Sequence, residues 1–96
     1  MSLRVDYKNL EYFGLDGGGS EILYYEGKPF TGIGIEYYKS GALLTEFEYQ
    51  NGYLEGLQRG YHENGQINEE YLLKNNIVVP GTFKEFDQEG NLLGSF

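Results

Sequence analysis

From Ile33 onward, apolar and polar positions alternate in short runs. Ile33-Gly34-Ile35-Glu36-Tyr37-Tyr38 reads as one strand and Leu43-Leu44-Thr45-Glu46-Phe47-Glu48-Tyr49 as the next, with a turn at Lys39-Ser40-Gly41-Ala42 between them. A period of two is the signature of a half-buried strand. Gln50-Asn51-Gly52-Tyr53 then reverses the chain. Asn-Gly between alternating runs predicts a type I′ hairpin turn, because both central residues of that turn need positive φ. A second unit repeats the order. Leu57 to His62 leads into a turn at Glu63-Asn64-Gly65-Gln66, Ile67 to Leu73 returns, and Lys74-Asn75-Asn76 turns again. A third runs Thr82 to Phe86, turns at Gln88-Glu89-Gly90 and continues through Asn91-Leu92-Leu93.

These units keep a fixed step. Gly17, Gly41 and Gly65 are 24 residues apart and Gly90 follows after 25; Tyr37, Tyr61 and Phe86 keep the same step, as do Gly32, Gly56 and Gly81. Such a period marks a repeat architecture. Towards the N-terminus it weakens. Tyr12-Phe13 and Ile22 to Tyr25 flank Asp16-Gly17-Gly18-Gly19, with Phe13 24 residues before Tyr37. This reads as a degenerate capping unit, as repeat arrays commonly carry. One domain is expected, with the degenerate unit at about 3–25 and repeats at about 26–49, 50–73 and 74–96.

Side chains of a strand point alternately to its two faces. Parity assigns Ile33, Ile35, Tyr37, Leu43, Phe47, Tyr49, Leu57, Tyr61, Ile67, Tyr71 and Leu73 to one dry face, and Glu36, Glu46, Glu48, Gln58, Asn68 and Glu70 to a wet one. No segment has a sustained helical period. The expected fold is all-β, an antiparallel meander of three to four β-hairpin repeats forming a single twisted or curled sheet. Pro29 and Pro80 sit near strand starts, where a missing donor does least harm.

Composition sharpens this picture. Ten tyrosines and six phenylalanines favour strands, and fifteen glycines mark turns and close approaches. Fifteen acids against seven bases give a net charge of -8, which repels phosphate backbones and anionic headgroups and suits a basic partner. Neither nucleic acid nor a membrane is expected as a partner. With no cysteine, disulfides and the strongest zinc signatures are excluded, which fits a cytoplasmic setting. No apolar run approaches the roughly 18 residues of a membrane span, and Met1 to Asp6 lacks the apolar core of a signal peptide.

Candidate chemistry is sparse. Glu46 and Glu70 are one repeat apart, about 9–10 Å from strand spacing, which suits paired-carboxylate hydrolysis; the repeat alone also generates such a pair. His62, the lone histidine, flanks a turn with no nucleophile or metal-ligand set around it. Glu48, Glu69, Glu70 and Asp87 lack the spacing of a calcium loop, and Gly17-Gly18-Gly19 is followed by Ser20-Glu21 rather than the Lys-Ser/Thr of a phosphate loop. No enzyme, cofactor or metal site is expected.

The recurring strings carry a resemblance. Glu26-Gly27-Lys28-Pro29-Phe30-Thr31-Gly32 opens one unit, Asn51-Gly52-Tyr53-Leu54-Glu55-Gly56 the next, and Asn75-Asn76-Ile77-Val78-Val79-Pro80-Gly81 the third. Each is followed by an aromatic and then by a string such as Tyr61-His62-Glu63-Asn64-Gly65-Gln66-Ile67. Residues 24–94 thereby resemble the MORN-repeat variant of bacterial YwqK-type proteins. The resemblance implies a meander of hairpins and, for some members, an antitoxin or immunity role. Two departures stand out: Lys8 aligns with Gly32, and Asn76 replaces a turn glycine. The functional expectation is a non-catalytic protein-binding module, of antitoxin or immunity type, that occludes a basic partner. Glu36, Glu46, Glu48, Glu70 and Glu85 would supply the field, with Tyr38 and Tyr53 as contact residues. The alternative is a structural scaffold that self-associates as a homo-oligomer through its sheet edges or apolar face.

Overall fold

Strands follow one another along nearly the whole computed structural model, which describes residues 3–96. They are β1 Arg4–Asp6, β2 Glu11–Leu15, β3 Glu21–Tyr25, β4 Lys28–Pro29, β5 Gly32–Tyr37, β6 Leu43–Gln50, β7 Tyr53–Tyr61, β8 Ile67–Lys74, β9 Ile77–Val78, β10 Lys84–Phe86 and β11 Leu92–Ser95. One 3-10 turn, Tyr7–Asn9, interrupts them. The fold is all-β, 59% strand and 3% helical, and its strands form an antiparallel hairpin meander. Among the described residues, no helix is long and apolar enough to cross a membrane.

Two kinds of turn drive the meander. Glu26-Gly27, Asn51-Gly52 and Asn75-Asn76 each place two successive residues at positive φ, the type I′ pattern read from Asn51-Gly52. Asn76 keeps the conformation at φ +69, since asparagine tolerates the left-handed region that most side chains avoid. The other turn is a five-residue loop closed by two backbone bonds. It occurs at Tyr38–Ala42, His62–Gln66 and Asp87–Asn91, and again at Asp16–Ser20. Its fourth residue is always a glycine at positive φ: Gly19, Gly41, Gly65 or Gly90. Gly19, 22 residues before Gly41, is therefore the structural counterpart in the first unit, whereas the 24-residue step points to Gly17.

The strands do not form a single sheet. Eight of them make one sheet in the order β1-β5-β6-β7-β8-β10-β11, with β9 added on β8, and β2-β3-β4 make a separate three-stranded sheet. β1 joins β5 in parallel, Val5 beside Gly34, and covers an edge that the meander would leave open. The N-terminal unit thus caps the array in two ways: β1 extends the large sheet by one strand, while β2 and β3, with β4, form the separate sheet. Leu23 N–H donates to Gly52 O and Gly52 N–H to Phe30 O, at 3.0 and 2.8 Å, so the β6–β7 turn is stitched to the small sheet.

Register also corrects the two-face reading. Directly paired residues share a face. Ile33 pairs with Glu48 and Ile35 with Glu46, while Gly34 pairs with Phe47 and Gly32 with Tyr49. Ile33 and Ile35 therefore stand with the glutamates, and Phe47 and Tyr49 stand opposite. A bulge that skips Leu44 puts Leu43 beside Tyr37, away from Phe47. Counting parity along each strand could not reveal which parities meet across the turn. Val5, Leu23, Phe30 and Tyr49 form the core, between the small sheet and the Phe47–Tyr49 face, with Tyr7, Leu10, Tyr25, Phe47 and Leu54 packed around it. Phe30 is 1% exposed, and burying a ring of that size contributes roughly 2–3 kcal/mol. Leu73, one repeat after Tyr49, is buried opposite Gly56 as Tyr49 is opposite Gly32.

Candidate functional site

Two neighbouring rows of side chains cross the large sheet, one on each face. The first runs Ile35, Glu46, Arg59, Glu70, Lys84 over β5, β6, β7, β8 and β10. Its charges alternate in sign. Arg4, from β1, bonds Glu46 at 2.7 Å, and Arg59 Nε donates to Glu70 at 3.1 Å. The Tyr61 hydroxyl also donates to Glu46. Burial alone would push the Glu46 carboxyl up, but the Tyr61 hydroxyl and the Arg4 guanidinium outweigh it and hold the pKa below the usual range. Glu48, on the same face, accepts from the Leu57 N–H at 3.0 Å. Gly56 stands at φ +104 beside that carboxylate, where a β-carbon would collide with it.

The second row runs Glu36, Thr45, Gly60, Glu69, Glu85 over the same strands. It contains three carboxylates and no base. Glu36 accepts from the Thr45 hydroxyl at 3.0 Å, and Glu69 lies across Gly60, where the missing side chain makes room. Glu69 and Glu85 are directly paired, an arrangement that like charges disfavour. The ion pairs found among the described residues are Arg4–Glu46, Lys8–Asp6 and Arg59–Glu70, none of which neutralises this row.

The residues expected to meet a partner are thus divided. Glu46, Glu48 and Glu70 lie on the alternating face and are bonded within the molecule. Glu36 and Glu85 lie at the two ends of the uncompensated row. Tyr38 sits at the start of a five-residue turn, and its hydroxyl donates to Tyr61 O at 2.6 Å. Tyr53 opens β7 opposite Gln50, half-buried. His62, one repeat after Tyr38, makes the equivalent link, its Nε2 bonded to Phe86 O at 3.0 Å. It is a half-buried repeat contact rather than an exposed flank. Arg59 stands between Glu46 and Glu70, so the two carboxylates face a shared cation position and not each other. Among the described residues, no group of three or more His, Cys, Asp or Glu is placed to hold a metal ion.

A cleft of about 440 Å³ opens where the small sheet meets the uncompensated row, lined by Tyr7, Glu21, Glu36, Phe47, Tyr49 and Leu54. The Tyr7 hydroxyl lies 3.4 Å from Glu21, and its ring stands 6.0 Å from that of Phe47. Burial raises the pKa of Tyr7, and the negative charges of Glu21 and Glu36 raise it further. Burial does the same to Tyr49, again with help from both glutamates. Sequence reasoning did not single out Tyr7 or Glu21 for this position, because long-range pairing brings them there: β1, in parallel on β5, carries Tyr7 to the row, and the folding-over of the small sheet brings Glu21. Arg59 carried a readable signal, a lone base mid-strand between two glutamate-rich strands.

Residues 30–51 and residues 54–75 each match the family model of the MORN repeat variant. The first match spans β5, β6 and the turn between them, and the second holds nearly all of β7 with β8. No curated protein and no solved structure matches the chain.

Proposed function

We propose that the chain is a non-catalytic protein-binding module whose partner presents a basic surface. The row Glu36–Glu69–Glu85 carries this reading. It holds three acids that take part in none of the ion pairs found among the described residues, on a sheet whose neighbouring row alternates in sign. A stable sheet has no use for directly opposed glutamates, whereas a basic partner would relieve them. Repeats of the matched kind generally serve as protein- or membrane-binding modules. The net charge of -8 favours a basic protein over an anionic bilayer. The specific form we propose is an antitoxin or immunity protein that covers the basic active region of a toxin, such as a nuclease. Occlusion then needs affinity and shape but no chemistry.

Capture from the native host, with identification of what is retained, tests this. A basic protein held at low salt and released at high salt is expected, and Glu36→Gln with Glu85→Gln should reduce its retention. Retention unaffected by salt and by both substitutions would reject the reading.

A second reading, a self-associating scaffold, is favoured by β11. Its Leu92 and Leu93 are 57% and 66% exposed, and Phe96 beside it 67%. Molecular mass measured across a range of concentrations separates the two: a monomer at every concentration removes the scaffold.

A further inference from the structure

We infer that the cleft between the small sheet and β5–β6 is a seat for one guanidinium group, an arginine side chain of the partner. This deepens the proposed function and rests on it. Three aromatic rings, Tyr7, Phe47 and Tyr49, line the cleft together with two carboxylates, Glu21 and Glu36, that come from different sheets. Aromatic faces attract cations through their quadrupoles, and guanidinium is the cation that also stacks. Its planar fork can address two carboxylates at once, which an ammonium cannot do with the same geometry. Neither Glu21 nor Glu36 takes part in an ion pair found among the described residues. Lys8, at the neighbouring rim, has its ammonium 3.8 Å from Asp6. A volume of about 440 Å³ exceeds what a guanidinium and its stem fill, so the seat admits the side chain with water.

The position suits such a seat. Glu36 begins the uncompensated row and also lines the cleft, so a basic surface drawn to the row would present its side chains to the opening. The wall is built rather than incidental. The Thr45 hydroxyl fixes Glu36 at 3.0 Å, and Tyr49, 6% exposed, anchors the floor in the core.

The test is a titration of the full chain with end-blocked Gly-Arg-Gly, followed through its amide NMR signals. Gly-Lys-Gly and Gly-citrulline-Gly serve as comparisons, and citrulline keeps the shape of arginine without its charge. The arginine peptide is expected to shift signals of Tyr7, Glu21, Glu36, Phe47 and Tyr49 together. Glu21→Gln and Glu36→Gln should each weaken binding by about tenfold, the usual worth of one charge-assisted hydrogen bond. Tyr7→Phe keeps the ring and should weaken it less. Equal shifts from citrulline, equally strong shifts from lysine, or shifts spread over the acidic surface would overturn the assignment. If the captured basic partner is retained while the arginine peptide leaves the cleft signals unmoved, the guanidinium seat fails and the binding module stands. If no basic partner is retained at all, the module itself fails.

Discussion

The Asn76 side-chain amide donates to the Asp16 carboxylate at 2.9 Å, joining positions 60 residues apart. Asn76 Oδ1 accepts from the Leu54 N–H at 2.7 Å, and its own N–H donates to Leu54 O at 2.9 Å. One repeat earlier, the Gly52 N–H makes the matching bond to Phe30 O at 2.8 Å. The departure from glycine at this turn is thus a gain: the side chain pins the β8–β9 turn to β7 and to the loop that leads into β3. Asn76→Gly should keep the turn and lose the pins, at about 1 kcal/mol. Asn76→Ala loses both and should cost about 2 kcal/mol. Urea unfolding of the two variants checks the order; equal stabilities would contradict it.

Acid should loosen the same joint. The Asn76 amide and then the Ser20 N–H hold the Asp16 carboxyl below its ordinary 3.8. A folded-state pKa below the unfolded one means that the stabilisation is complete above the ordinary value. It is lost as pH falls from there through the folded pKa. Thermal melts taken down through that acidic range should fall more steeply for the natural chain than for Asn76→Ala. Asp87 is lowered too, chiefly by the Asn91 N–H, and should give both proteins a common residual slope.

Two glycines with nearly the same φ should differ in what they tolerate. Gly41 and Gly52 stand at φ +92 and +91. A β-carbon at Gly41 meets nothing, whereas at Gly52 it would come within 2.9 Å of both the Ile22 side chain and Leu23 O. Gly41→Ala should cost about 1 kcal/mol from backbone strain alone. Gly52→Ala should cost about 3 kcal/mol, because the small sheet must move away. Hydrogen exchange at the Leu23 N–H, which bonds Gly52 O, should accelerate in Gly52→Ala only.

On the alternating face, Tyr61 and Arg4 keep Glu46 ionised against the effect of burial. Tyr61→Phe removes the hydroxyl that donates to Glu46, so the Glu46 pKa should rise towards or past its ordinary 4.5. The sign follows from linkage: a smaller depression leaves less stability to lose on acidification. Carboxyl-carbon NMR titration of Glu46 reads the shift directly. An unchanged midpoint would show that the hydroxyl is not what holds the charge.

Much of this architecture was legible because turn chemistry is local. Asn51-Gly52 fixes a type I′ hairpin with two residues, and the step from Gly41 to Gly65 repeats one loop. What depends on distant pairing was not legible. Ile35 and Phe47 look alike in parity, yet the turn between them sets Ile35 against Glu46. Three glycines in a row at Gly17-Gly18-Gly19 hide which one bears the turn, and Gly19 rather than Gly17 does. Glu36 and Glu46 look equivalent as acidic positions. The register alone gives Glu46 a neighbouring arginine and leaves Glu36 in a row of acids. The cleft depends on β3 folding over β6, which no spacing announces.

The association rate of the captured partner, measured against ionic strength, tests the account most directly. The natural chain should bind more slowly as salt rises. Glu36→Gln with Glu85→Gln should lower the rate and flatten that dependence, because these carboxylates take part in no ion pair found among the described residues. Glu70→Gln should change the rate far less, because Glu70 lies on the opposite face of the sheet, away from the row that meets the partner. A rate indifferent to salt, or one that responds to Glu70 as strongly as to Glu36 and Glu85, would contradict recognition through the uncompensated row.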